Sequence, residues 1–215
     1  SELLSPLNLA FLGQFEGWYE NQGFVVNTTY FAAGESATAN FDLPPLSFPL
    51  ALEGSASADV WRTDLLYAYR FTKPPESGYG AGFTEFDLPP VSFDLMGGLR
   101  FYSLSQEVSV NSNVGVSRSL SNSDFILEPV LRSRLRWNTS DYLAVLLDST
   151  VSGLSLTGGS TFSVTATDGV EWLFSGNTSL SAGYQLNYID YAASGRDGEL
   201  DLLAHGPRLS FIFRF

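Results

Sequence analysis

At 215 residues the chain holds one barrel or sandwich domain and needs no second. It has no cysteine, which excludes a disulfide framework and thiol chemistry. Its 23 acids against 11 bases, a net charge of −12, argue against nucleic acid, whose phosphates reward basic surfaces, and would repel an anionic membrane face unless cations bridge the two.

Only 16% of residues are charged, below an average of ~25%, while 17 Phe, 10 Tyr and 4 Trp are present. Lys73 is the only lysine; the other bases are arginines, whose planar fork suits crowded interior ion pairs. No apolar run approaches the ~18 residues of a membrane helix. No cationic-then-apolar leader opens the chain, so Ser1 reads as a mature or trimmed start.

Periodicity is two-residue throughout, with almost none at helical spacing. From Leu9 to Tyr19, Phe11, Phe15 and Tyr19 oppose Gln14 and Glu16. From Trp61 to Phe71, the face Trp61, Thr63, Leu65, Tyr67, Tyr69, Phe71 opposes Arg62, Asp64 and Arg70. Phe93, Leu95, Leu99 and Phe101 oppose Asp94 and Arg100; Phe125, Leu127, Leu131, Leu135 and Trp137 oppose Glu128, Arg132, Arg134 and Arg136. Leu180, Ala182, Tyr184, Leu186 and Tyr188 alternate with Ser181, Gly183, Gln185 and Asn187. The chain closes with Leu209, Phe211, Phe213 and Phe215 on one face.

Several patterns run 9–13 residues, longer than the ~5–6 of a typical globular strand and near the ~9–11 of a tilted membrane strand. Greasy faces then meet lipid, and the opposite charges line and pair across a lumen. Short turns are expected at Glu20–Gly23, Asn138–Asp141 and Gly176–Ser179, and longer connections at Gly34–Asp59, Asn111–Ser123, Ser152–Ser160 and Ala193–Glu199. Membrane barrels place short turns on the periplasmic side. Beside those turns Trp18, Tyr19, Trp137, Tyr142, Trp172 and Phe174, with Phe215, form an expected aromatic girdle.

Thr72–Ser92 is long, yet parity places it on the short-turn side. Counting back from a periplasmic C-terminus gives nine strand candidates, whereas single-chain bacterial barrels have even numbers. The expectation is therefore an all-β chain, one outer-membrane domain over residues 1–215. Its architecture is an antiparallel up-and-down transmembrane β-barrel of ten strands, with eight as the alternative; either a strand upstream of Ser1 is missing or one element is wrongly divided. Phe41-Asp42-Leu43-Pro44-Pro45-Leu46-Ser47-Phe48 recurs as Phe86-Asp87-Leu88-Pro89-Pro90-Val91-Ser92-Phe93. Paired prolines make both copies strand borders or loops.

The terminal strand resembles the closing strand of Gram-negative outer-membrane β-barrels, which their assembly machinery recognises by a terminal aromatic and alternating apolar residues. Leu9 to Phe215 resembles, more narrowly, a poorly characterised group of small outer-membrane barrel proteins. The carriers are Gly97-Gly98-Leu99-Arg100-Phe101-Tyr102, Gly183-Tyr184-Gln185-Leu186-Asn187-Tyr188 with Asp190-Tyr191, and Gly206-Pro207. The resemblance implies a further strand upstream of Leu9–Tyr19, outer-membrane lipid and lipopolysaccharide as surroundings, and the assembly machinery as partner through Leu209–Phe215. The chain departs from the group at Glu128-Pro129-Val130-Leu131-Arg132, where Asp-Pro-Val-Val-Gly is frequent.

Chemistry-bearing motifs are few. His205 is the only histidine; Ser210 follows five residues later, and no Gly-x-Ser-x-Gly elbow precedes a serine, so a structural role is expected over catalysis. One His and no Cys argue against a transition-metal site. Asp197-Gly198-Glu199-Leu200-Asp201 lacks the spacing of a calcium loop and reads as a solvated acidic loop. Asn27, Asn138 and Asn177 match the glycan-acceptor pattern, which carries no meaning in a bacterial barrel. Glu16, Arg62, Asp64, Arg70, Asp94, Arg100, Glu128, Arg132, Arg134 and Arg136 are the lumen candidates: an anion-selective constriction or, preferred at ten strands, a structural network. The expected function is a non-catalytic outer-membrane barrel without cofactor, acting as a narrow pore or a structural and interaction module. A soluble lipocalin-like barrel for an apolar ligand is the alternative, and a lipid hydrolase a third reading. The acidic balance also permits a partner chain.

Overall fold

The computed structural model describes residues 7–41, 50–72, 83–112, 117–154, 156, 160–192 and 199–215. The described chain is all-β: β1 (Leu7–Tyr19), β2 (Gln22–Phe41), β3 (Leu50–Arg70), β4 (Val91–Ser112), β5 (Ser117–Ser140), β6 (Leu143–Gly153), β7 (Ser160–Ser175), β8 (Thr178–Ala192) and β9 (Glu199–Phe213), with one 3-10 turn at Glu85–Asp87. These strands form one sheet in chain order, and β5 through β9 pair antiparallel at every step.

Two-residue turns join β1–β2 at Glu20–Asn21 and β7–β8 at Gly176–Asn177, inside the expected turns, while the β5–β6 turn falls at Asp141–Tyr142, at the edge of the expected Asn138–Asp141. The longer connections differ from expectation. β2 and β3 run 20 and 21 residues, and β4 and β5 run 22 and 24, absorbing much of Gly34–Asp59 and Asn111–Ser123. Those Ser-, Thr- and Ala-rich stretches carry no hydrophobic alternation, so polarity reads as loop; backbone pairing, with polar contacts such as Ser55 to Ser109 at 2.8 Å, extends the ladder through them.

The chain divides into two compact units, 1–14 with 27–63 and 101–126, and 15–26 with 64–100 and 127–215. In the smaller unit Tyr30 donates to Asp59 at 2.9 Å and Arg62 to Thr29 at 3.2 Å. In the larger unit burial follows the two-residue period. Asp64, Leu66, Ala68 and Arg70 are buried on β3 while Leu65, Tyr67 and Tyr69 are exposed; Ser92, Asp94 and Met96 are buried on β4 while Val91, Phe93 and Leu95 are exposed. An apolar nucleus of Val25, Leu66, Ala68, Met96 and Val130, with Trp18 packed on it, sits among the buried charges.

The larger unit curls strongly. Glu16 on β1 reaches Arg134 on β5, and the Phe15 ring stacks on Phe215 with centroids 6.2 Å apart, bringing the first strand beside the end of the last. Curvature of this order needs positions without a Cβ. Gly98 passes so close to β3 that an added Cβ would lie 1.9 Å from the Leu65 carbonyl oxygen; at Gly183 it would lie 1.9 Å from that of Asp168.

Candidate functional site

The buried face of the larger unit is an ion-pair lattice. Its sequence origin is simple: the charged residues of β3, β4 and β5 in this unit fall on one parity, so they are delivered to one side. Arg100 forks onto Asp64, Nε to Oδ1 at 2.6 Å and Nη2 to Oδ2 at 2.9 Å, and its Nη1 donates to Ser152 and Ser163. Ser152 in turn donates to Glu128 at 3.0 Å. Arg70 forks onto Asp94 at 2.7 and 2.9 Å and lies 3.9 Å over the Trp18 ring. Arg132 holds Asp148 at 2.6 Å; Arg134 holds Glu16 at 2.6 Å and touches Asp148 at 3.4 Å. Arg136 reaches Glu171 at 2.6 Å. Its Nη2 lies buried without a hydrogen-bond partner, and its guanidinium sits 4.3 Å over the Phe86 ring.

Nine of the ten lumen candidates therefore belong to the larger unit: eight take part in the salt bridges above, and Glu128 accepts from Ser152. Arg62 belongs to the smaller unit, where it donates to Thr29. Four members went unread in the sequence: Asp148, Glu171, Arg208 and Arg214. Asp148 and Glu171 share parity with small polar residues on β6 and β7, a signal visible once those strands are phased.

Trp18 does not join the aromatic girdle. It shares parity with Glu16, donates to it at 3.0 Å and lies half-buried under Arg70. The polarity of β1 and not the proximity of the turn decides its side. Tyr19, Trp137, Tyr142, Trp172, Phe174 and Phe215 are exposed on the opposite face, Trp137 at 54% and Trp172 at 50%.

The long β3–β4 connection has a task at the short-turn end. Thr84 accepts from the Phe86 N–H, and Asp87 accepts from the Thr84 N–H, forming a capping box around the 3-10 turn. Phe86 and Leu88 are buried there, and Asn138 donates to the Glu85 carbonyl at 2.8 Å. Arg214, beyond the end of β9, pairs with Glu85 and Glu171. Burial lowers the proton affinity of Arg214, but Glu85 and Glu171 outweigh it and hold the guanidinium above its ordinary pKa. The Phe86–Phe93 copy of the repeated motif is thus a cap leading into β4; residues 42–48 of the other copy lie outside the described residues. Glu85→Gln is expected to weaken this cap by about 1 kcal/mol, the upper value for partly exposed pairs. Faster amide hydrogen exchange over Thr84–Leu88, with little change in global unfolding, is the check.

His205 stands on the exposed face, where its Nδ1 meets the Tyr184 hydroxyl. Asp168 accepts from the Tyr184 backbone N–H at 3.2 Å. Ser210 lies on the other face of β9 and accepts from Arg208, so the one Ser/His spacing of interest is not assembled. Asp197 and Gly198 lie outside the described residues. No group of His, Cys, Asp and Glu able to hold a metal occurs among the described residues.

No protein-family model, curated protein or solved structure matches the chain.

Proposed function

We propose that this chain is a non-catalytic transmembrane β-barrel of a bacterial outer membrane, serving as a structural or interaction module with an ion-paired interior capped at one end. In the absence of a matching family, the polarity of the two sheet faces supports this reading. In the larger unit Arg100, Glu128 and Glu171 are fully buried, whereas Phe71, Trp137, Trp172 and Phe211 are exposed. Water would favour the reverse on both counts. Lipid outside and paired charges inside favour this arrangement. A soluble barrel for an apolar ligand needs its apolar faces inward, so the same observation weighs against that alternative.

Ten strands, one beyond the nine described, give the even count that closes such a barrel; eight is the alternative. β9 supports recognition by the assembly machinery: Leu209, Phe211, Phe213 and Phe215 are all exposed in one row. The aromatic residues beside the short turns suit a membrane interface facing lipid and lipopolysaccharide.

The interior filled by charge pairs, and by Phe86 at the short-turn end, favours the module over an open pore. Detergent-extracted protein is expected to migrate faster unheated than heated on a denaturing gel and to give no discrete conductance steps in a planar bilayer. Full solubility without detergent removes the membrane reading. Discrete, salt-dependent steps from heat-shifting protein restore the pore.

A further inference from the structure

Arg208 is the exception in the lattice. It lies on β9 with its side chain on the less exposed face, and its Nε donates to Ser210 at 3.2 Å. Among the described residues its terminal nitrogens have no hydrogen-bond partner and no carboxylate lies within salt-bridge distance, unlike Arg70, Arg100, Arg132, Arg134, Arg136 and Arg214. Arg132, Arg134 and Asp148 lie within electrostatic reach. Asp148 is already shared by Arg132 and Arg134, and Glu16 is bound to Arg134. Arg132 and Arg134 thus take up Asp148 and Glu16, and Arg208 is left beside them with no salt bridge of its own among the described residues.

The neighbouring wall is built of small residues. Arg208 stands opposite Gly183 in the β8–β9 register, and Gly183 opposite Gly169 in the β7–β8 register, so the row beside the guanidinium carries no side chain. The flanking pairs on the same face are Ser181 with Ser210 and Gln185 with Gly206. A wall of small, neutral hydrogen-bonding residues beside an unpaired fork suits a compact oxyanion, and guanidinium geometry matches carboxylate and phosphate oxygens two at a time.

We propose that Arg208 is the anchor of an oxyanion-binding site that takes the carboxylate or phosphate group of a small hydrophilic solute, with Arg132 and Arg134 supplying the supporting field. The site deepens the barrel reading and rests on its polar interior.

The test uses full-length, detergent-folded protein, scored first for heat-shifted migration. Inorganic phosphate and acetate are then titrated separately at constant ionic strength against chloride, with the unfolding midpoint and binding heat as readouts. Wild type is expected to show a saturable rise in midpoint with at least one of the two anions. Arg208→Gln should weaken that response at least tenfold, while Arg118→Gln, on an exposed residue of the smaller unit, should keep it. Without added anion, Arg208→Gln should be no less stable than wild type, because it breaks no ion pair. Equal anion responses in wild type and Arg208→Gln overturn the proposal, as does heat-shifting wild type without saturation by either anion. Failure of the heat shift with retained, Arg208-dependent anion binding would fall on the barrel reading and leave the site standing.

Discussion

Arg100→Met is expected to destabilise the protein by about 3–5 kcal/mol, the cost of leaving a buried charge without its partner. The Arg100 and Asp64 side chains are only 2% and 4% exposed, and the fork between them is complete. Removing the guanidinium strands the Asp64 carboxylate and takes a donor from Ser152 and Ser163. The double variant Arg100→Met with Asp64→Leu is expected to recover most of the loss, since replacing both members of a buried pair with apolar groups is often near neutral. Urea unfolding in detergent, read by the shift from folded to unfolded migration, measures all three proteins. A single variant no weaker than the double would mean that Asp64 is solvated and the lattice wet.

Gly98→Ala carries the second large effect. Its Cβ would lie 1.9 Å from the Leu65 carbonyl oxygen and 3.0 Å from the Leu66 Cα, both backbone atoms that cannot swing aside. The strands must separate locally, at a cost of about 3 kcal/mol, the upper part of the usual overpacking range. The neighbouring Gly97 provides the control, because a Cβ there meets nothing within 4 Å. Gly97→Ala should be neutral or stabilise by about 0.5 kcal/mol through the unfolded chain. Gly183→Ala should behave like Gly98→Ala, its Cβ meeting the Asp168 carbonyl oxygen. Equal unfolding midpoints for the Gly97 and Gly98 variants would show that β3 and β4 do not approach as described.

The strand phases were legible in the residues alone. Period two assigns Asp64, Arg70, Asp94, Arg100, Glu128, Arg132 and Arg136 to one side of their strands, and all are buried. Two turns follow from Gly and Asn at the ends of alternating runs, at Glu20–Asn21 and Gly176–Asn177. Trp18 shows the limit of reading from turn proximity: its own parity with Glu16 already placed it inward, and its half-burial beneath Arg70 follows that parity. The polar extensions of β2–β5 were illegible because, with no alternation, a ladder held by backbone hydrogen bonds has no side-chain signature.

Sequence by itself determined which residues share a face, because the side-chain period of an extended chain is a local property of the backbone. Only the tertiary structure decided who pairs with whom. Glu16 meets Arg134 across 118 positions, and Arg214 meets Glu85 across 129, because curvature of the sheet brings distant strands within hydrogen-bond reach. The same curvature gives Arg132, Arg134 and Arg136, alike in sequence, carboxylates within salt-bridge distance, and leaves Arg208 bonded to Ser210 with Asp148 only at longer range.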